Sequence, residues 1–243
     1  MFDLNRNIGL KSYSFRQVPD NVEVAAIVRR CGASAIDLSG CHVNYDSPEV
    51  WPEVIVAYRN AGVAITGIGV VGAGADDARN RRFFEFAKAA GAGVISVTFE
   101  PDDFRAVLDS LARLGEEYDL SIAIHNHGGY DWLGNQTILR YIFSQPPERI
   151  GLCLALQTGK SPLEWLENFS NRLYAIHFKD FRFDSSGRYF DTVVGEGALE
   201  LPGLLEKFRM LDFQGTAVVE YEGGEPEAAS AASIANIRRL YQA

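Results

Sequence analysis

A chain of 243 residues with 47% apolar side chains has enough hydrophobic surface for one large core and is too apolar for a disordered segment. The formal charge is −9, and no basic cluster stands out beyond the short Arg79–Arg82 run, which argues against a dedicated nucleic-acid binder. Cys31, Cys41 and Cys153 are few, odd in number and without metal-ligand spacing, so they read as reduced thiols of a cytoplasmic protein. The opening stretch MFDLNRNIGLKSYSF has no continuous apolar region, and no run reaches transmembrane length. Neither signal peptide, membrane anchor nor membrane partner is expected.

Strand and helix patterns alternate along the chain. Ile8–Phe15 reads as a strand, followed by a helix over Asn21–Cys31. Ala35–Ser39 is the second strand, and Pro48 opens a helix that runs to the C-cap glycine Gly62. Val63–Val71 and the helix Asp76–Ala90 form the third unit; Val94–Phe99 and Asp102–Tyr118 form the fourth. Ser121–His127 precedes a helix near Asn135–Ser144, and Ile150–Leu156 precedes one from Pro162. Leu173–Lys179 leads into a long polar excursion, Asp180–Glu200, before the helix Pro202–Leu211. Thr216–Tyr221 and Glu227–Tyr241 close the series. Eight βα units with short connections predict a single α/β domain over 1–243, a (β/α)8 barrel. An open doubly wound sheet is the alternative.

Parity sorts the strand faces. In Ser121–His127, Ile122 and Ile124 point outward, while Ser121, Ala123, His125 and His127 point to the axis. The same rule turns Gly151, Cys153 and Ala155 inward, and likewise Ala175, His177 and Lys179. It also places Asp37, Glu100 and Glu220 on inner faces. The C-terminal mouth of the predicted barrel thus gathers Asp37, Glu100, His125, His127, His177, Lys179 and Glu220, where such a fold keeps its chemistry. Two imidazoles and a carboxylate from different strands make an open metal site suited to zinc, manganese or iron. A metal there would polarise a carbonyl while a carboxylate such as Glu220 or Glu100 moves the adjacent proton. The plain structural alternative makes each histidine a hydrogen-bonded core residue and pairs each carboxylate with Lys179 or Arg182.

Six segments occur in order: SYSFR (Ser12–Arg16), IHNHGG (Ile124–Gly129), GLCL (Gly151–Leu154), HFKD (His177–Asp180), GEGALELPGLL (Gly195–Leu205) and VVEYEG (Val218–Gly223). Together they resemble the xylose isomerase-like TIM barrels, the sugar phosphate isomerases/epimerases with inosose dehydratase and ketose 3-epimerase relatives. The resemblance covers essentially the whole chain. It implies a divalent metal held by a Glu, an Asp, a His and a Glu at the ends of the fifth to eighth strands. His177 and Glu220 match the last two positions, His125 occupies the first, and Ala155 falls on the second. The family segment reading like LDxGH is here Leu154-Ala155-Leu156-Gln157-Thr158-Gly159-Lys160, which lacks both the Asp and the His. Gln157 is a weak substitute.

The resemblance therefore implies a metal (Mn, Zn or Mg) on His125, His177 and Glu220, held weakly or lost. Glu220, His177 and Lys179 are the expected catalytic groups. His42, Glu100, His127 and Tyr13 are expected to touch a small sugar, keto-sugar or cyclitol; Tyr13 and Trp132 would suit an aromatic platform for a sugar ring, though such aromatics more often belong to the core. Lys179 and Asp180 read as an orienting pair, and Gly195-Glu196-Gly197 as a turn. With one family glutamate replaced by His125, a one-base isomerisation or elimination fits better than symmetric epimerisation. The competing expectation is a catalytically impaired sugar-binding barrel or a subunit of a larger assembly. A homo-oligomer stays open, and a DNA-repair nuclease is disfavoured by the acidic charge.

Overall fold

The computed structural model describes residues 3–128, 131–145, 148–156 and 162–242. Eight parallel strands close into a barrel: β1 (Gly9–Lys11), β2 (Ala35–Leu38), β3 (Ala64–Gly72), β4 (Val94–Thr98), β5 (Ser121–His125), β6 (Ile150–Ala155), β7 (Leu173–Phe178) and β10 (Thr216–Val219), with β10 pairing β1 to complete the ring. Two further strands, β8 (Asp180–Phe183) and β9 (Tyr189–Thr192), form a separate antiparallel hairpin. Helix α1 (Leu4–Asn7) precedes the first strand, and helices α2 (Asn21–Arg30), α3 (Trp51–Asn60), α4 (Asp77–Ala90), α5 (Phe104–Tyr118), α6 (Gln136–Phe143), α7 (Pro162–Phe169), α8 (Leu201–Arg209) and α9 (Pro226–Gln242) follow the barrel strands in the expected alternation. Among the described residues no helix is long and apolar enough to cross a membrane.

The helices begin and end where their caps dictate. Asp20, Asp76 and Asn135 accept backbone N–H groups of the first turns of α2, α4 and α6, and Gly91 ends α4 in the left-handed region at φ 77°. Outward strand residues such as Ile122, Ile124, Leu152 and Leu154 join the large core shared with the helices. The inner layer is built from small side chains, with Val94, Ala123, Cys153 and Ala175 packed across the axis. This is the split that strand parity predicts.

Several boundaries differ from expectation. The first strand stops at Lys11, and Ser12–Phe15 turns into a 3-10 helix. The serines explain the break: Ser12 Oγ accepts Ser39 N–H at 2.8 Å, and Ser14 Oγ accepts Tyr221 N–H at 2.9 Å. The short helix α1, capped by Asp3, has no counterpart in the sequence reading. The helix expected from Pro48 begins as a 3-10 turn over Pro48–Val50. The excursion after the seventh barrel strand contains the β8–β9 hairpin, a periodicity its polar residues conceal.

Candidate active site

A cavity of about 470 Å³ is lined by side chains from several barrel strand ends, including Lys11, His125, Lys179 and Glu220. Tyr189 and Asp191 of β9 contribute to its wall, so the hairpin helps enclose it. Strand register sets the spacing of the polar groups. Ala155 of β6 pairs with His177 of β7, and Val218 of β10 pairs with the same histidine. Glu220 lies one residue past β10, where its N–H still bonds to Phe178 O at 3.0 Å.

His177 is fully buried between two carboxylates. Its Nδ1–H donates to Glu220 Oε2 at 3.0 Å, and its Nε2 lies 3.6 Å from Asp37 Oδ2. Burial pushes this imidazole down, but Cys153, Asp37 and Glu220 together outweigh it and hold the group well above the ordinary histidine value. Glu220 shows the complementary balance. Burial would raise it, yet the bond from His177 and the charge of Lys179 hold it well below the usual carboxylate range. Lys179 Nζ sits 3.6 Å from Glu220 Oε2 and also bonds Glu222. Burial disfavours its charge, and the two glutamates more than restore it. His125 is driven the other way: burial, with His177 and His127 nearby, pushes it well below the ordinary value, leaving a neutral imidazole.

Lys11 is the group that sequence reading overlooked. Its ammonium is buried, donating to Asp37 Oδ1 at 2.6 Å and to Gly69 O at 2.5 Å, and it lines the cavity. A lysine ending the apolar run Ile8-Gly9-Leu10 was the available signal. Cys153, Asp191, Tyr189 and Glu222 were also missed as site residues; the last three depend on where the loops travel.

The expected substrate contacts separate into two groups. Tyr13 and His127 line the cavity, Tyr13 with the Arg16 guanidinium 4.9 Å over its ring and His127 with its ring 4.4 Å from that of His125. His42 does not line it: the ring is buried, with Nε2–H donating to Val18 O at 2.9 Å and Nδ1 facing Ser12 Oγ at 3.1 Å. Those bonds fix a loop and engage both ring nitrogens. Glu100 stands exposed two residues beyond β4 and outside the cavity lining. Trp132 donates to Phe99 O at 2.9 Å and packs edge-on against Phe99 and Phe104, so it belongs to the core rather than a sugar platform.

Lys179 and Asp180 do not pair. Asp180 turns away and accepts the backbone N–H groups of Phe181, Gly195, Gly197 and Leu199, at 2.8–2.9 Å. This anchors the Gly195-Glu196-Gly197 turn, where Gly195 has φ 90° and a Cβ on Gly197 would collide with the Asp180 carboxylate. Asp180 and the two glycines thus form one fastening at the base of the hairpin.

Donor chemistry tests the expected metal. Among the described residues, one group offers donor atoms all within 4.8 Å of one another: His125, Cys153 and His177. Glu220 is outside that group, its oxygen engaged by His177 and near Lys179. Gln157 lies outside the described residues. Two imidazoles and a thiol fit a borderline cation such as zinc. They do not fit magnesium, which demands oxygen donors, and Ala155 supplies none beside His177.

Comparison with known proteins agrees with this architecture. Inosose dehydratase of Lacticaseibacillus casei is 23% identical over 145 residues, and the chain spans about half the length of that curated relative, 51% of this chain and 49% of the other. A xylose isomerase-like TIM barrel protein from Mycobacterium smegmatis, solved in complex with magnesium, superposes with a TM-score of 0.78 at 14% identity, covering 99% of this chain and 98% of the other. The 3-keto-D-glucoside 4-epimerase of E. coli superposes at 0.72 with 17% identity, covering 96% and 99%. The family profile for the xylose isomerase-like TIM barrel matches residues 25–240, and with the closed parallel barrel just described, this chain belongs to that family.

Proposed function

We propose that the protein is an enzyme of the sugar isomerase/epimerase type that moves a proton on a carbon next to a carbonyl. The substrate class is a small keto-sugar or cyclitol, in keeping with the activities named for the similar epimerase and dehydratase. The observation that carries this reading is Glu220. It is an ionised carboxylate on the cavity wall, held from behind by His177 Nδ1–H at 3.0 Å. Such a group accepts a proton without first having to lose one.

The chain's own residues divide the work. Glu220 takes the proton from the α-carbon and returns it to a neighbouring atom. The ammonium groups of Lys11 and Lys179 line the same cavity and meet the negative charge that develops on the carbonyl oxygen. His177 is a positioning residue, buried beneath the lining and holding Glu220 in one orientation. Tyr13 and Tyr189 offer aromatic faces to the apolar side of a sugar ring. A divalent cation, when bound, would add Lewis-acid polarisation of a substrate oxygen. Because His125 stands where a second carboxylate base would be, a one-base isomerisation or elimination suits the site better than symmetric epimerisation.

The test is a screen of ketoses, keto-sugars and inososes in deuterated water with Mn²⁺ or Zn²⁺ supplied. Deuterium entering an α-carbon with the native protein but not with Glu220→Gln is the expected result. A second reading, a sugar-binding barrel without catalysis, is favoured by Ala155 standing beside His177. Sugar binding with no exchange on any substrate would select it.

A further inference from the structure

We propose that His125, Cys153 and His177 form a zinc site, with Glu220 supporting His177 from outside instead of binding the ion. The three side chains come from adjacent strands: His125 pairs with Cys153 in register, and Cys153 with Ala175, two residues before His177. All three are buried and offer donor atoms within 4.8 Å of one another. Tetrahedral zinc, with Zn–N about 2.0–2.1 Å and Zn–S about 2.3 Å, separates its donors by roughly 3.3–3.8 Å. The side chains need only a small inward shift to reach it.

Orphaned nitrogens point to a ligand. His125 Nδ1 is buried without a hydrogen-bond partner, and His177 Nε2 has Asp37 Oδ2 at 3.6 Å, beyond hydrogen-bond length. A buried polar atom left unmatched costs roughly 1–3 kcal/mol, which a bound cation would remove. The other nitrogen of His177 is already committed, since Nδ1–H donates to Glu220 Oε2. A carboxylate holding one imidazole nitrogen so that the other can bind metal is the usual outer support of a metal-ligating histidine. Cys153 completes the set as a free, fully buried thiol. Its inner-layer neighbours are Val94, Ala123 and Ala175, so packing alone asks for nothing more than a small apolar side chain there. Binding would displace the thiol proton of Cys153 and the Nε2 proton of the His177 imidazolium to solvent, leaving thiolate and neutral imidazole on the ion. The preference for zinc over magnesium follows from sulfur and nitrogen donors replacing oxygen.

Cobalt(II) titration of the metal-stripped protein reads the sulfur directly. The expected result is one Co²⁺ per chain with a near-ultraviolet sulfur-to-cobalt charge-transfer band. Cys153→Ser should lose that band, whereas Glu220→Gln should keep it with affinity reduced by about 10–100-fold. Should Cys153→Ser fail to fold, X-ray absorption of the native zinc-loaded protein decides alone, with one sulfur expected at about 2.3 Å beside nitrogen neighbours at about 2.0–2.1 Å. Absence of sulfur from the zinc shell, an unchanged cobalt spectrum in Cys153→Ser, or no binding of either metal would overturn the proposal. These readouts are independent of the deuterium-exchange assay, which reports on Glu220.

Discussion

Lys11 and Asp37 form a buried ion pair at the end of β1 and β2, Nζ to Oδ1 at 2.6 Å, with both side chains at most 2% exposed. Neither charge can turn to water if the other is removed. Lys11→Met is therefore expected to lower stability by about 3–5 kcal/mol, because it strands a desolvated carboxylate. The double variant Lys11→Met/Asp37→Leu should lose less than the two single changes summed. Chemical denaturation of the four proteins measures this, and an unchanged midpoint for Lys11→Met would show that water reaches Asp37.

Ala155 and His177 share a register position across β6 and β7. Ala155→Asp would place a carboxylate beside the histidine and turn the donor set toward hard cations. Manganese binding, followed by calorimetry, is expected to tighten about tenfold or more. Equal affinity before and after the change would mean that Ala155 does not occupy a ligand position.

Asp180 fastens the β8–β9 hairpin through its four backbone acceptor bonds. Asp180→Asn keeps the shape but replaces one acceptor oxygen with a donor amide. A loss of about 2–3 kcal/mol is expected, since bonds to a charged group are the stronger kind. The hairpin should become the first site of proteolysis in the variant, cut near Ser185–Gly187. An unaltered digestion pattern would assign the anchoring to other contacts.

Tyr189 is 64% exposed, lines the cavity, and meets Phe181 edge-on at 5.3 Å between ring centroids. Tyr189→Ala should weaken sugar binding by about 1 kcal/mol, a fivefold rise in KM with kcat nearly unchanged. A fall in kcat alone would move Tyr189 from binding into the chemistry.

Strand parity, read from sequence, was enough to put His125, His177, Lys179 and Glu220 at one end of a closed barrel, because a period of two in a strand leaves little choice of face. The βα alternation and its caps likewise announced eight units, since hydrophobic spacing and end signals are local properties. Local reasoning ended where side chains choose among distant partners. His42 turned to Val18 and Ser12 because those groups came within hydrogen-bond reach only after the chain had closed. Asp180 left Lys179 for four backbone amides that arrive from 1 to 19 residues later. Glu100 lost its place when β4 ended at Thr98. The tertiary structure alone decided which nitrogens are left without partners, that a thiol lies between two imidazoles, and that Lys11 faces Asp37. Each of these depends on distances between strands that are far apart in sequence, and such distances are set by barrel closure rather than by any local pattern.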